Sequence, residues 1–165
     1  MWLRAVGVVG LLPEFTPAVG LSGEVFARGR WRAVLGGLFA PETRVYRFDT
    51  RFAFGLTALS VGACYDVARA GRFTLSGCAG VLAGAAHAVV FDLYPEAPGE
   101  LFWAAVTASA RLTARVAGPL VAELGADFVG VPVRARFHLA NESEVVFEQS
   151  PASAMAYVGL GLSFR

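Results

Sequence analysis

Read with a period of two, the hydrophobic and polar positions of this chain separate over a series of short segments. Residues 102–116 show it best. Phe102, Ala104, Val106, Ala108, Ala110, Leu112, Ala114 and Val116 hold one parity, and Trp103, Ala105, Thr107, Ser109, Arg111, Thr113 and Arg115 hold the other. A helix would also align Arg111 with Arg115, but it would not segregate every hydroxyl and guanidinium from the aliphatic set. An extended strand with one apolar face does. Seven further segments read the same way: residues 3–11, 19–27, 31–39, 52–65, 73–87, 120–133 and 156–164. The parity predicts Val19, Leu21 and Val25 on one face, with Gly20, Ser22 and Glu24 on the other. It sets Trp31, Ala33, Leu35 and Phe39 against Arg32, and Leu124 against Glu123 and Asp127. In the last segment Val158, Leu160, Leu162 and Phe164 oppose Tyr157, Gly159, Gly161 and Ser163. Segment 52–65 is ambiguous in facing, and Pro132, Arg134 and Arg136 predict a slip of parity at a bulge beyond the seventh apolar run.

The connections alternate in length. Residues 28–30, 66–72 and 117–119 are short and carry glycine turn chemistry, whereas 12–17, 40–50, 88–99 and 138–151 are mostly longer and more polar. Short turns at one end and long loops at the other are the organisation of a membrane-spanning barrel. Aromatics fall near the segment ends, where amphipathic rings favour a membrane interface. Trp2, Trp31, Tyr65, Phe73 and Phe164 are expected in a girdle on the short-turn side, and Phe39, Phe52, Phe91, Phe102 and Phe137 in one on the loop side.

Composition narrows the choice of solvent. The 165 residues are 56% hydrophobic and 16% charged, and all 14 basic residues are arginine. With a mean hydropathy of +0.56, the chain is too apolar for disorder. Its net charge of +1 supplies no surface for a nucleic acid. In lipid only helices or a closed barrel satisfy the backbone. A spanning helix needs about 20 apolar residues, and only residues 73–91 approach that length, interrupted by Thr74, Ser76, three glycines and His87. A helical protein packed on Gly80 and Gly84 would rest on that one window. A soluble eight-stranded barrel would turn its polar parity outward, whereas Arg32, Arg111, Arg115, Glu123 and Asp127 sit on otherwise small or hydroxylated faces that suit a polar lumen. The expectation is a single domain over residues 1–165, an all-β, eight-stranded antiparallel up-and-down transmembrane β-barrel with both termini on the short-turn side.

Tyr157, Gly159, Leu162 and Phe164 resemble the C-terminal signal strand of bacterial outer-membrane proteins, which the barrel-assembly machinery reads. Arg165 follows the aromatic on which that strand usually ends. With its eight segments the chain resembles the small eight-stranded outer-membrane barrels of the OmpA/OmpX-like class. The resemblance implies a place in the outer membrane of a Gram-negative bacterium, with membrane lipid and the barrel-assembly machinery as partners. It also implies an extracellular partner, of unknown kind, for the long loops. The lysine-free, Ala/Gly/Arg-rich composition suggests a high-GC source. No signal-peptide pattern precedes the first segment. That fits a processed chain, a misassigned start or the barrel domain of a longer protein, or else argues against the outer-membrane reading.

Several residues are candidates for chemistry. Cys64 and Cys78 lie symmetrically about position 71, so an odd-length turn there sets them directly opposite one another, close enough for a disulfide. Two small hydrophobic strand residues are the alternative. Eight strands leave a lumen that side chains fill. Glu24, Arg32, Arg111, Arg115, Glu123 and Asp127 are therefore expected to form an internal charge-paired network rather than line a conduit. The function expected is structural, anchoring or adhesive. A small pore or apolar-ligand transporter is the first alternative, and a lipid A-modifying acyl hydrolase the second. His87 and His138 fall at loop-side segment ends, near Asp92, Asn141, Glu142, Ser143 and Glu144. The stretch 137–141 is similar to the His-x-Ser-Asn stretch of lipid A deacylases, but Ala140 stands where that family has its nucleophile. The chain therefore reads as non-enzymatic. No metal-ligand spacing, phosphate loop or dinucleotide fingerprint is present, so neither metal nor cofactor is expected.

Overall fold

The computed structural model describes residues 1–47, 50–91, 99–132, 134, 136–138 and 145–163. Eight strands close a barrel: β1 (Trp2–Val9), β2 (Thr16–Arg28), β3 (Trp31–Arg47), β4 (Thr50–Ala70), β5 (Phe73–Val90), β6 (Gly99–Ala117), β7 (Leu120–Gly130) and β10 (Ala152–Leu162). Each pairs antiparallel with its sequence neighbour, and β1 closes the ring on β10. β8 (Arg136–His138) and β9 (Val145–Glu148) form a separate hairpin. The apolar window that approached helical length is strand β5.

At one end the hairpins turn on Gly29-Arg30, Gly71-Arg72 and Gly118-Pro119. Each glycine takes a positive φ, between 51° and 64°, as the two-residue turns that match strand twist require at their first position. The connection expected over 66–72 is thus a two-residue turn, and β4 and β5 run almost to it. At the other end β3 and β4 continue through most of the expected loop 40–50, to Arg47 and from Thr50. The ladder survives Pro41 because a bulge between Ala40 and Thr43 takes it and Glu42 out of register. No bulge carries β7 past Pro132; the strand ends at Gly130, two residues before a proline that cannot donate to a ladder. The last strand begins at Ala152, earlier than its hydrophobic parity shows.

The facing follows the parity. Leu21, Trp31, Leu35, Phe39, Leu124, Val158 and Leu160 are exposed on the outside of the barrel. In β4, where facing was ambiguous, Phe54, Leu56, Ala58 and Cys64 point inward and Leu59, Val61 and Tyr65 outward. The result is an apolar outer belt. From Trp31 to Phe39 it rises roughly 20 Å for strands tilted about 40°, close to the band of about 25 Å that a barrel presents to lipid. Trp31, Tyr65 and Phe73 are exposed near the short turns, Trp31 against Tyr65 with ring centroids 5.0 Å apart, and Phe39, Phe91 and Phe102 are exposed toward the loops. Two expected girdle members turn inward: Trp2 and Phe52 lie on the lumen parity and are buried at 7% and 3% exposure. Phe164 and the side chain of Phe137 lie outside the described residues.

Candidate functional site in the barrel lumen

The lumen divides along the barrel axis. Toward the short turns it is charged. Arg32, second residue of β3, reaches Glu24 on β2 and Asp66 on β4, each at 2.6 Å, and donates to the Ser76 hydroxyl on β5 at 2.6 Å. Ser76 in turn donates to Asp66 at 2.8 Å, and Arg69 closes on the other Asp66 oxygen at 2.6 Å. Asp66 thus accepts from three side chains, which offsets the cost of a carboxylate whose side chain is only 5% exposed. Deeper in, Arg4 on β1 pairs with Glu123 on β7 at 2.6 Å, and its guanidinium lies 4.9 Å from the centre of the Tyr157 ring. Arg111 faces the same ring at 6.0 Å. The Tyr157 ring covers Gly125, its register partner on β7, so closely that any Cβ there would overlap it.

Of the residues expected in this network, Glu24, Arg32 and Glu123 are in ion pairs, and Arg111 makes the ring contact just described. Asp127 faces inward without an ion pair among the described residues. Arg115 stands at the mouth, beside a vestibule of about 690 Å³ that Trp2, Glu24, Arg32, Asp66, Arg69 and Arg72 also line. Arg4, Asp66, Arg69 and Ser76 were not anticipated. Asp66 and Arg69 fall in the connection expected over 66–72, which is strand up to Ala70, and Asp66 has the same parity as Cys64.

Cys64 and Cys78 form a disulfide on the lumen side of β4 and β5, with Cys64 opposite Arg32 on β3. The turn is even in length, not odd. A bulge between Asp66 and Ala68 shifts the register by one residue and so brings the two cysteines opposite one another.

Toward the loops the lumen is apolar, where the sequence had suggested a polar interior throughout. Val8, Phe54, Leu56, Trp103, Val129 and Met155 fill it, with Trp103 fully buried. Phe147 of β9 packs on Phe54 with centroids 5.2 Å apart, and the Gln149 amide donates to the Leu11 carbonyl at 3.0 Å, so the segment carrying β9 lies across this end. Arg134 and Arg136 hold Glu148 at 2.7 and 3.0 Å. The stretch that carries Ala140, Asn141, Glu142, Ser143 and Glu144, together with Asp92, lies outside the described residues, as does the His138 side chain. Among the described residues no group of His, Cys, Asp and Glu is arranged to hold a metal.

A closed up-and-down ring of eight strands, with short turns at one end, an apolar outside and a filled inside, is the fold of the small outer-membrane barrels. Solved structures of that kind are similar to it. Neisserial surface protein A matches with a TM-score of 0.64 at 12% identity, over 99% of this chain and 95% of that one. Ail, the attachment invasion locus protein of Yersinia pestis, matches at 0.58 and 11%, over 99% and 97%. The N-terminal β-barrel domain of Pseudomonas aeruginosa OprF matches at 0.53 and 16%, over 99% and 96%. No family model matches the sequence, and no curated protein matches it either.

Proposed function

We propose that this chain is an integral outer-membrane barrel with a structural, anchoring or adhesive role and a closed lumen. The observation that carries the reading is the filled loop-side half of the lumen. Trp103, Phe54 and Leu56 are buried inside a ring whose interior side chains can fill, which supports a closed lumen. The apolar belt supports membrane lipid as its solvent, and the likeness in fold to Neisserial surface protein A, Ail and the OprF domain supports an outer-membrane site. The adhesive side of the reading draws on Ail, which is named for attachment and has been solved with the heparin analogue sucrose octasulfate. The long hairpins and β8–β9 would then be the surface that meets an extracellular partner. Tyr157, Gly159, Leu162 and Phe164 would present the strand read by the barrel-assembly machinery, with Tyr157 also serving the lumen core. The test is twofold. Folded protein is expected to migrate anomalously on a denaturing gel until it is boiled, and to give no steady conductance in planar bilayers. Sustained conductance would favour the pore; normal migration together with solubility in plain buffer would remove the membrane assignment.

A further inference from the structure

A second constellation lies on the outside of the barrel, away from the lumen. Thr57 on β4, His87 on β5 and Glu100 on β6 all face outward. The Thr57 Oγ1 lies 3.2 Å from His87 Nε2, and His87 Nδ1 lies 3.4 Å from a Glu100 carboxylate oxygen. Glu100 favours the tautomer with the proton on Nδ1. Nε2 then accepts from the Thr57 hydroxyl, the order of nucleophile, base and orienting carboxylate that activates a hydroxyl for acyl transfer.

The surroundings suit a lipid substrate. Thr57 lies eight residues along β4 from Tyr65 of the short-turn girdle, roughly 20 Å up the barrel for strands tilted about 40°. That is the far edge of the apolar belt, where lipid esters meet water. One row across the barrel reads Phe39, Thr57, Ala85, Phe102 in direct register. Two exposed rings thus wall a trough whose floor is the hydroxyl and an alanine. The next row toward the short turns reads Leu59, Ala83, Ala104, so the floor continues over two alanines with the exposed Leu59 side chain at its β4 edge, an apolar bed for an acyl chain. Gly55 sits opposite His87, and the Ala40 carbonyl oxygen and the Glu42 side chain pack against it, each 3.2 Å from where a Cβ would stand.

We propose that this outer face is an acyl-ester hydrolase site for a long-chain carboxylic ester of the leaflet on the loop side. Thr57 Oγ1 attacks the ester carbonyl carbon while His87 Nε2 takes its proton. The C–O bond to the alcohol breaks, and that oxygen leaves with the proton from His87. Water from the headgroup layer then releases the acyl group from Thr57 as a fatty acid by the same relay. A glycerophospholipid and an acylated sugar lipid both present this ester, and the test separates them.

The full chain, folded into vesicles of radiolabelled dipalmitoyl phosphatidylethanolamine or into vesicles containing purified lipid A, is assayed for released fatty acid. A hexadecyl fluorophosphonate, whose phosphorus is captured by an activated hydroxyl with loss of fluoride, maps the nucleophile by peptide mass. Release is expected from one vesicle type, with the adduct on Thr57. Thr57→Val and His87→Gln should each reduce release about 100-fold or more while the gel shift of the folded barrel persists. Glu100→Ala should lower the rate and Glu100→Asp restore it, since Glu100 acts by positioning His87. Folded wild-type protein that neither releases fatty acid nor carries the adduct on Thr57 would overturn the proposal, as would release unchanged by Thr57→Val.

Discussion

The two halves of the lumen solve one packing problem in opposite ways. Eight strands enclose a space that side chains must fill. The loop-side half fills it by shape, with Trp103, Phe54, Leu56 and Val129 against one another. The short-turn half fills it by charge, with Arg32, Asp66, Ser76, Arg69 and Glu24 in one connected set. The difference tracks access to water. The charged half opens on a vestibule of about 690 Å³, whereas Phe147 and Gln149 lie across the apolar half. Ionised groups are tolerated where solvent and partners both reach them, and the dry end holds almost none.

If that contrast is right, truncation should hurt most at the dry end. Trp103→Ala is expected to cost about 4 kcal/mol through lost burial and the cavity left behind. The loss would be read from the denaturant midpoint of the barrel in detergent micelles and should be insensitive to salt. Asp66→Ala should follow at about 3 kcal/mol, because it leaves Arg32 without its more buried carboxylate partner. The double variant should be additive within about 0.5 kcal/mol, as for sites that share no partner. A larger coupling would mean that the two halves act as one core. Opening the Cys64–Cys78 bridge comes next. Closing a loop of sequence separation 14 contributes at most about 3 kcal/mol by chain entropy, so reductant should lower the unfolding free energy by that much or less.

The ring of strands was legible because lipid imposes a period-two pattern on any strand that faces it. Residues 102–116 declare both faces without help. The division of the lumen was not. Alternation says which side chains point in, but not whether the inward set is polar: Trp103 and Ala105 have the same parity as Arg111 and Arg115, and only their height on β6 separates them. The inward Trp2 and Phe52 misled for the same reason, since a ring near a strand end suits a girdle or a plug equally well. The partners of the lumen charges come from register across distant strands. Arg4 and Glu123 are 119 residues apart, joined through β10, which lies between their strands. The spacing of Cys64 and Cys78 suggested opposed positions through an odd turn, with two unbridged cysteines as the alternative; an even turn plus a bulge sets them opposite instead. Thr57 and Glu100 escaped notice because neither has a neighbour in sequence that marks it, and each meets His87 only across a strand pair.

The smallest effect is the sharpest test of why the charged half is tolerated. Glu24 and Asp66 both hold Arg32 at 2.6 Å, but their side chains are 36% and 5% exposed. If the vestibule is wet, the outer pair is close to a surface pair and Glu24→Gln should cost less than about 1 kcal/mol. The loss should shrink further as ionic strength rises and the Debye length falls to a few ångströms, while the cost of Asp66→Ala barely changes. Equal distances would then give unequal energies, with hydration as the cause. Should Glu24→Gln instead prove as costly as Asp66→Ala, and as indifferent to salt, the vestibule would be as dry as the plug around Trp103. The contrast between the halves would then be one of residue type alone.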